Sequence, residues 1–295
     1  MKKFVIFRRI SQGFFLSLFI CMLWPITYQL TGALRPDMLF KLDPLLMVMT
    51  AISERKVPSG MVAFVGMLCM TFALGRFFCG WVCPLGTSID IASSLSRKRW
   101  ILSDRANRIL IKPKFLLLAA LFVAAAAGWQ IAWAFDPMVI TSRFISLNLI
   151  PAATAAINSI LFILRDMPLD GVSGLYDSLK PIILGVKVYY SPYAFLVLAY
   201  FIMIALTGIF VSRLWCRALC PLGAIYALAG SRAFLSRTVD KCVKCFRCKA
   251  DCRMGAINKD LAYVKSECIL CMDCLYNCPS HGTSFRLGLF RKRIK

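Results

Sequence analysis

RFFCGWVCPLG, residues 76–86, returns as RLWCRALCPLG at residues 213–223. Six of the eleven positions match: the arginine, both cysteines and the closing Pro-Leu-Gly. Each copy follows a long apolar run, so one pair of thiols stands twice at the end of an apolar segment. Upstream, LDPLLMVMTAIS (42–53) is similar to FDPMVITSRFIS (135–146), with Asp-Pro, Ile and Ser in register. Each unit reads span, Asp-Pro segment, span, Cys-x3-Cys-Pro. Two units of equal order imply a parallel duplication about an axis along the membrane normal.

The chain of 295 residues is 59% hydrophobic, with a mean hydropathy of +0.71. That is too apolar for an ordinary soluble domain and places it in the membrane class. Five charge-free windows are long enough to cross about 30 Å of hydrocarbon. They lie between Arg9 and Arg35, Lys56 and Arg76, Lys114 and Asp136, Arg143 and Arg165, and Lys187 and Arg213. The fourth is the most interrupted and carries Pro151.

Charge selects among them. Basic residues concentrate at the N-terminus, in the 76–114 loop (eight) and from Arg213 onward (sixteen). Four spans put all three regions on one side, which the positive-inside rule makes cytoplasmic. Residues 144–164 then read as an interfacial or re-entrant helix on the outer side. Trp24, Tyr28, Trp129, Trp133, Tyr189, Tyr190 and Tyr193 cluster at the outer ends, as an interface belt does. The first apolar region is longer than a signal peptide needs and is kept as a true span.

The net charge of +22 is assigned to anionic headgroups rather than nucleic acid, since no basic helix with interleaved base-contacting residues is present. A single histidine, His281, argues against haem.

Fourteen cysteines carry the chemistry. CVKCFRCKADC supplies Cys242, Cys245, Cys248 and Cys252; CILCMDCLYNCP supplies Cys268, Cys271, Cys274 and Cys278. Both are C-x2-C-x2-C-x3-C, the spacing of a two-cluster ferredoxin, in which the fourth cysteine of each run reaches the other cubane. One [4Fe–4S] cluster is expected on Cys242, Cys245, Cys248 and Cys278, the other on Cys268, Cys271, Cys274 and Cys252. Paired Cys-x2-Cys zinc sites would not use a third cysteine at the same interval. Arg253 replaces the usual proline after Cys252, and a cation near that cluster would favour its reduced form and raise its potential.

Cys79/Cys83 and Cys216/Cys220 are each four apart and, if helical, share a face. The pseudo-two-fold would bring the pairs together at the inner membrane surface. There they can hold a metal ion or an iron–sulfur centre, cycle as redox thiols, or fill the core. Arg76 and Arg213 would offset thiolate charge. Cys21 and Cys69 read as packing residues. Asp43 and Asp136 face outward, either as caps of helices with proline at the first position or as proton acceptors beside a quinol.

The repeated Cys-x3-Cys-Pro and the two ferredoxin motifs resemble the NapH family of polytopic quinol dehydrogenase subunits, and also the related MauN. The short motifs are shared with the NosR and CcoG/RdxA proteins. The resemblance implies electron flow from quinol, through a NapG-type ferredoxin subunit, to a periplasmic acceptor such as nitrate reductase. The CcoG likeness implies copper reduction or cofactor assembly instead, and a non-redox scaffold is the third reading.

The expected architecture is an α-helical polytopic membrane protein of the bacterial inner membrane, with cytoplasmic termini. It has four transmembrane helices in two parallel repeats and a C-terminal α+β two-cluster ferredoxin-like domain. The segments are a first membrane repeat (1–112), a second with an outer-side insertion (113–237), the ferredoxin-type domain (238–285) and a basic tail (286–295).

Overall fold

The computed structural model describes residues 2–27, 40–58, 60–95, 100–165, 191–240 and 242–288. Tyr28, Tyr189, Tyr190 and most of the basic tail lie outside the described residues.

The duplication read from the sequence is followed element by element. The first half contains α1 (Lys2–Thr27), α2 (Pro44–Glu54), α3 (Met61–Leu74), α4 (Phe77–Trp81) and α5 (Pro84–Ser94). The second contains α6 (Asp104–Ala126), α7 (Pro137–Phe144) continued by a π turn (Ile145–Leu149) into α8 (Ile150–Arg165), then α9 (Ala194–Phe210), α10 (Leu214–Ala218) and α11 (Pro221–Gly230). Equivalent helices start the same way. Asp43 and Asp136 cap α2 and α7, Cys83 and Cys220 cap α5 and α11, and all four helices have proline in the first turn. Proline is pre-organised there because its missing N–H is not needed. The π turn precedes Pro151, whose missing donor would otherwise break the regular ladder.

The halves interleave rather than sit side by side. Helix α9 of the second half packs on α5 of the first, and α11 packs on α3. Likewise α2 packs on α6 and α11, and α7 packs on α5. One buried core therefore draws from both halves, and it contains Cys79, Cys83, Cys216 and Cys220.

Three helical stretches are long and apolar enough to cross a membrane: Lys3–Trp24, Asp104–Ala126 and Pro137–Ile160. The first and second correspond to expected spans. The third includes the segment expected to lie along the interface, which is instead part of a continuous helix. The other expected spans are shorter. Helices α3 and α9 have 14 and 17 residues, hence axes of about 21 and 26 Å. Charge-free windows overstated them because the windows include the turns at each end. Trp129, Trp133 and Tyr193 are exposed, as a belt requires.

The C-terminal module is closed by two antiparallel strands, β1 (Leu235–Val239) and β2 (Thr283–Leu287), with Arg237 opposite Phe285. Between them lie two one-turn helices, α12 (Arg247–Ala250) and α13 (Asp273–Tyr276), and an Ile257–Tyr263 bridge. Two of the expected boundaries fall inside elements: 112/113 within α6, and 237/238 within β1.

Candidate functional site

Every matched position of the repeated motif has a mechanical role. The second cysteine of each copy ends its turn as a helix cap: Cys83 Sγ accepts from the Gly86 amide at 3.4 Å, and Cys220 Sγ from the Gly223 amide at 3.2 Å. Both sulfurs thus sit at helix N-termini, where partial positive charge favours a thiolate. Leu85 and Leu222 are fully buried behind them.

The arginines cross over. Arg213 of the second half donates to the Cys79 carbonyl and the Gly86 carbonyl of the first, while Arg76 of the first donates to the Cys216 carbonyl of the second. The glycines keep these contacts close. A Cβ on Gly223 would meet Arg76 Nη2 at 2.8 Å, and one on Gly86 would meet the Cys79 carbonyl oxygen, the acceptor of Arg213, at 2.9 Å. The two pairs of thiols are brought into one electrostatic neighbourhood: Cys79 and Cys216 act on Cys83, and Cys79, Cys83 and Cys216 act on Cys220. Arg76 and Arg213 act on the same thiols, as expected. The quartet also adjoins the second transmembrane half through aromatic rings. Trp215, next to Cys216, meets Tyr200 with ring centroids 5.8 Å apart, and Tyr200 stands ten residues before the end of α9, roughly 15 Å along its axis.

Asp43 and Asp136 are both completely buried. Each Oδ1 caps its helix, accepting from Leu45 and Leu46 or from Met138 and Val139. Each Oδ2 has no hydrogen-bond partner among the described residues, and the two carboxyls lie close enough to act on each other. Two buried carboxyl groups with no donor between them are relieved when one of them carries a proton. The two-fold brings the caps together because the interleaved halves bury α2 and α7. Tyr226 lies within reach of both carboxyls and of Cys79 and Cys83, its ring 5.5 Å from Phe78.

In the C-terminal module the two cysteine runs share a backbone. Lys244 and Phe246 in the first, and Leu270 and Met272 in the second, all have positive φ between 50° and 62°. These residues have side chains, so each left-handed residue costs about 1–2 kcal/mol. The gain is that amides turn inward: Lys244 donates to Cys242 Sγ, Leu270 to Cys268 Sγ, and Ala256 to Cys252 Sγ. Such turns form anion-holding concavities, which suits a thiolate-bound cubane.

The cysteines also fall into two neighbourhoods. Cys242, Cys245, Cys248 and Cys278 line one cavity. Cys252, Cys268, Cys271 and Cys274 interact with one another, and Cys248 reaches Cys274 between the sets. Burial alone would push Cys278 up, but hydrogen bonds from Ser280, Gly282 and Thr283 hold it below the usual thiol range. Cys274 is pushed up to about 12, chiefly by burial, so a cluster there must displace its proton.

Among the described residues, no group of three or more Cys, His, Asp or Glu is arranged to hold a single metal ion. The single-ion form of the quartet expectation is therefore not met. A cubane sets its thiolates farther apart, since each binds a different iron.

The module is seated on the quartet. The Trp81 indole donates to the Leu270 carbonyl, Arg8 donates to the Cys271 carbonyl, and Gly80 abuts Ile269 so closely that a side chain would not fit. Two ion-pair chains surround this contact. Glu267 accepts from Lys114 at 2.6 and 2.7 Å and from Arg76 at 2.8 Å. Asp90 pairs with Arg213 and Arg253, and Asp273 with Arg253 and Arg8. Arg253, which follows Cys252, is thus paired with two carboxylates. Cys21 and Cys69 are exposed on their helices rather than packed.

Sequence reasoning missed Lys114, Glu267, Asp90, Asp273 and Tyr226. The acids offered a signal: a chain with 36 basic and only 14 acidic residues that places an acid beside a cysteine motif has a use for it.

A family profile described as a 4Fe-4S binding domain matches residues 57–103 and 193–241, the segments that carry the two Cys-x3-Cys-Pro motifs. Ferredoxin-type protein NapH of Escherichia coli is 27% identical over 85% of this chain and 73% of its own length. NapH of Haemophilus influenzae is 22% identical over 96% of this chain and 89% of its own. The methylamine utilization ferredoxin-type protein MauN of Methylorubrum extorquens is 24% identical over 70% of this chain and 58% of its own. No solved structure matches. With apolar helices, paired cysteine motifs and these relatives in agreement, the chain is a NapH-like ferredoxin-type membrane protein with an iron–sulfur electron-transfer role.

Proposed function

We propose that the chain oxidises membrane quinol and conducts the electrons through three thiolate sites. The observation that carries this reading is the contact between the 268–271 loop and the Cys79–Trp81 segment. It sets the buried quartet, the buried set (Cys252, Cys268, Cys271, Cys274) and the exposed set (Cys242, Cys245, Cys248, Cys278) in one succession. The described residues fit cubanes in the C-terminal module, through inward amides and the two cysteine neighbourhoods, and the quartet fits a further iron–sulfur centre. When bound, such clusters take up and release single electrons.

The protein's own groups do the rest. Helix N-termini and the crossed arginines stabilise negative charge at the quartet. Quinol oxidation yields quinone, two electrons and two protons. The Asp43–Asp136 pair can accept a proton as the neighbouring centre gains charge. Four membrane crossings, with α3 and α9 completed by their flanking turns, leave both termini in the cytoplasm of an inner-membrane protein. The buried quartet then carries electrons between that side and a periplasmic acceptor, reached through a NapG-type partner.

Electron paramagnetic resonance on the anaerobically purified protein, with and without quinol, tests this. Cys252→Ala should remove the signal of the buried module cluster and Cys278→Ala that of the exposed one. Cys79→Ala should remove a third signal and leave both others. Clusters that quinol does not reduce, even with the partner present, would end the quinol reading.

A further inference from the structure

On the half of the bundle carrying the exposed Trp129 and Tyr193 lies a half-open cavity of about 350 Å³. It is lined by Trp133, Ala134, Phe135, Ile140, Arg143, Val197 and Tyr200. That volume is in the range of small-molecule sites, which are mostly apolar with few polar groups. Three of the walls are aromatic. The polar edge consists of the Arg143 guanidinium, stacked 4.0 Å over the Trp133 ring, and the Tyr200 hydroxyl, which donates to the Ala134 carbonyl. The walls are held in place from behind: Phe144 and Phe201, neighbours of Arg143 and Tyr200 in the chain, stack at 3.9 Å with rings 2° from parallel.

We propose that this cavity binds the quinol head group, an inference that rests on the quinol reading above. A flat ring with two hydroxyls fits aromatic walls with one polar edge, and its prenyl tail can leave through the open side into lipid. The position fits too. Tyr200 lines the cavity and its other side meets the Trp215 ring, whose chain neighbour is Cys216. The cavity therefore adjoins the quartet through two side chains.

The test uses the full chain in detergent and a short-chain quinone titrated against intrinsic fluorescence and against the rate of cluster reduction by its quinol. Val197→Trp fills the cavity and should raise the dissociation constant at least about tenfold, with cluster signals and melting temperature unchanged. Trp133→Ala, at a half-exposed position that the core does not need, should weaken binding and remove part of the quenching. Equal affinity in wild type and both variants would overturn the site while leaving the quinol reading intact. Absence of quinone binding to wild type would overturn it as well, as would quinone-insensitive binding of phospholipid that Val197→Trp abolishes.

Discussion

Single residues in this protein are exacting because the two halves trade contacts. Gly223 exists to admit Arg76 from the other half, so Gly223→Ala pushes the guanidinium off the Cys216 carbonyl. The expected result is loss of iron at the quartet with both module clusters kept, measured as iron content and paramagnetic resonance. The carboxyl pair makes a finer prediction. Asp43→Asn keeps a good cap and can donate an N–H to Asp136 where a proton shared by the two carboxyls would sit; its melting temperature should stay near wild type. Asp43→Ala loses the cap, about 1 kcal/mol, and leaves a buried carboxyl unsatisfied, about 1–3 kcal/mol more. A larger loss for Asn than for Ala would show that no proton is shared.

At the scale of elements, the seat of the module on the bundle depends on ions that water cannot reach. Lys114, Arg76 and Glu267 are essentially excluded from solvent. Glu267→Ala strands two cations, and breaking a buried pair in this way costs about 3–5 kcal/mol. Limited proteolysis should then cut near Arg232–Asp240 and release the module, whereas the wild type resists. Replacing partners together, as Lys114→Met with Glu267→Leu, should recover part of the loss, since an apolar pair avoids the desolvation cost. These elements also show what a sequence can disclose. Capping by Asp-Pro and Cys-Pro, the duplication, and the two ferredoxin-type cysteine runs are local or periodic, and all were legible. Which helix lengths fill the layer was not, because charge-free windows count turn residues as span. The meeting of Asp43 with Asp136, and of Glu267 with Lys114, depends on how the halves interleave, which no spacing within one segment encodes.

Over the whole molecule, charge is unevenly used. Inside, several cations near the sulfur sites have a carboxylate: Arg213 with Asp90, Arg76 with Glu267, Arg253 with Asp90 and Asp273. At the outer edge of the module the pattern reverses. Cys242 and Cys245 are exposed, and Lys244 and Arg247 stand exposed beside them. A net charge of +22 adds a long-range field of the same sign. An acidic one-electron carrier is therefore steered to the edge where electrons can be exchanged, by a term that salt screens over about 10 Å at 0.1 M. Stopped-flow exchange with an acidic flavodoxin should slow steeply as salt rises, while a neutral mediator should show little dependence. Lys244→Glu with Arg247→Glu should flatten the salt dependence for the flavodoxin and slow its exchange at low salt, leaving reduction of the quartet by quinol unchanged. If the double variant kept the wild-type salt slope, exchange would be taking place at another face, and Cys242 and Cys245 would not mark the edge at which the succession meets a carrier.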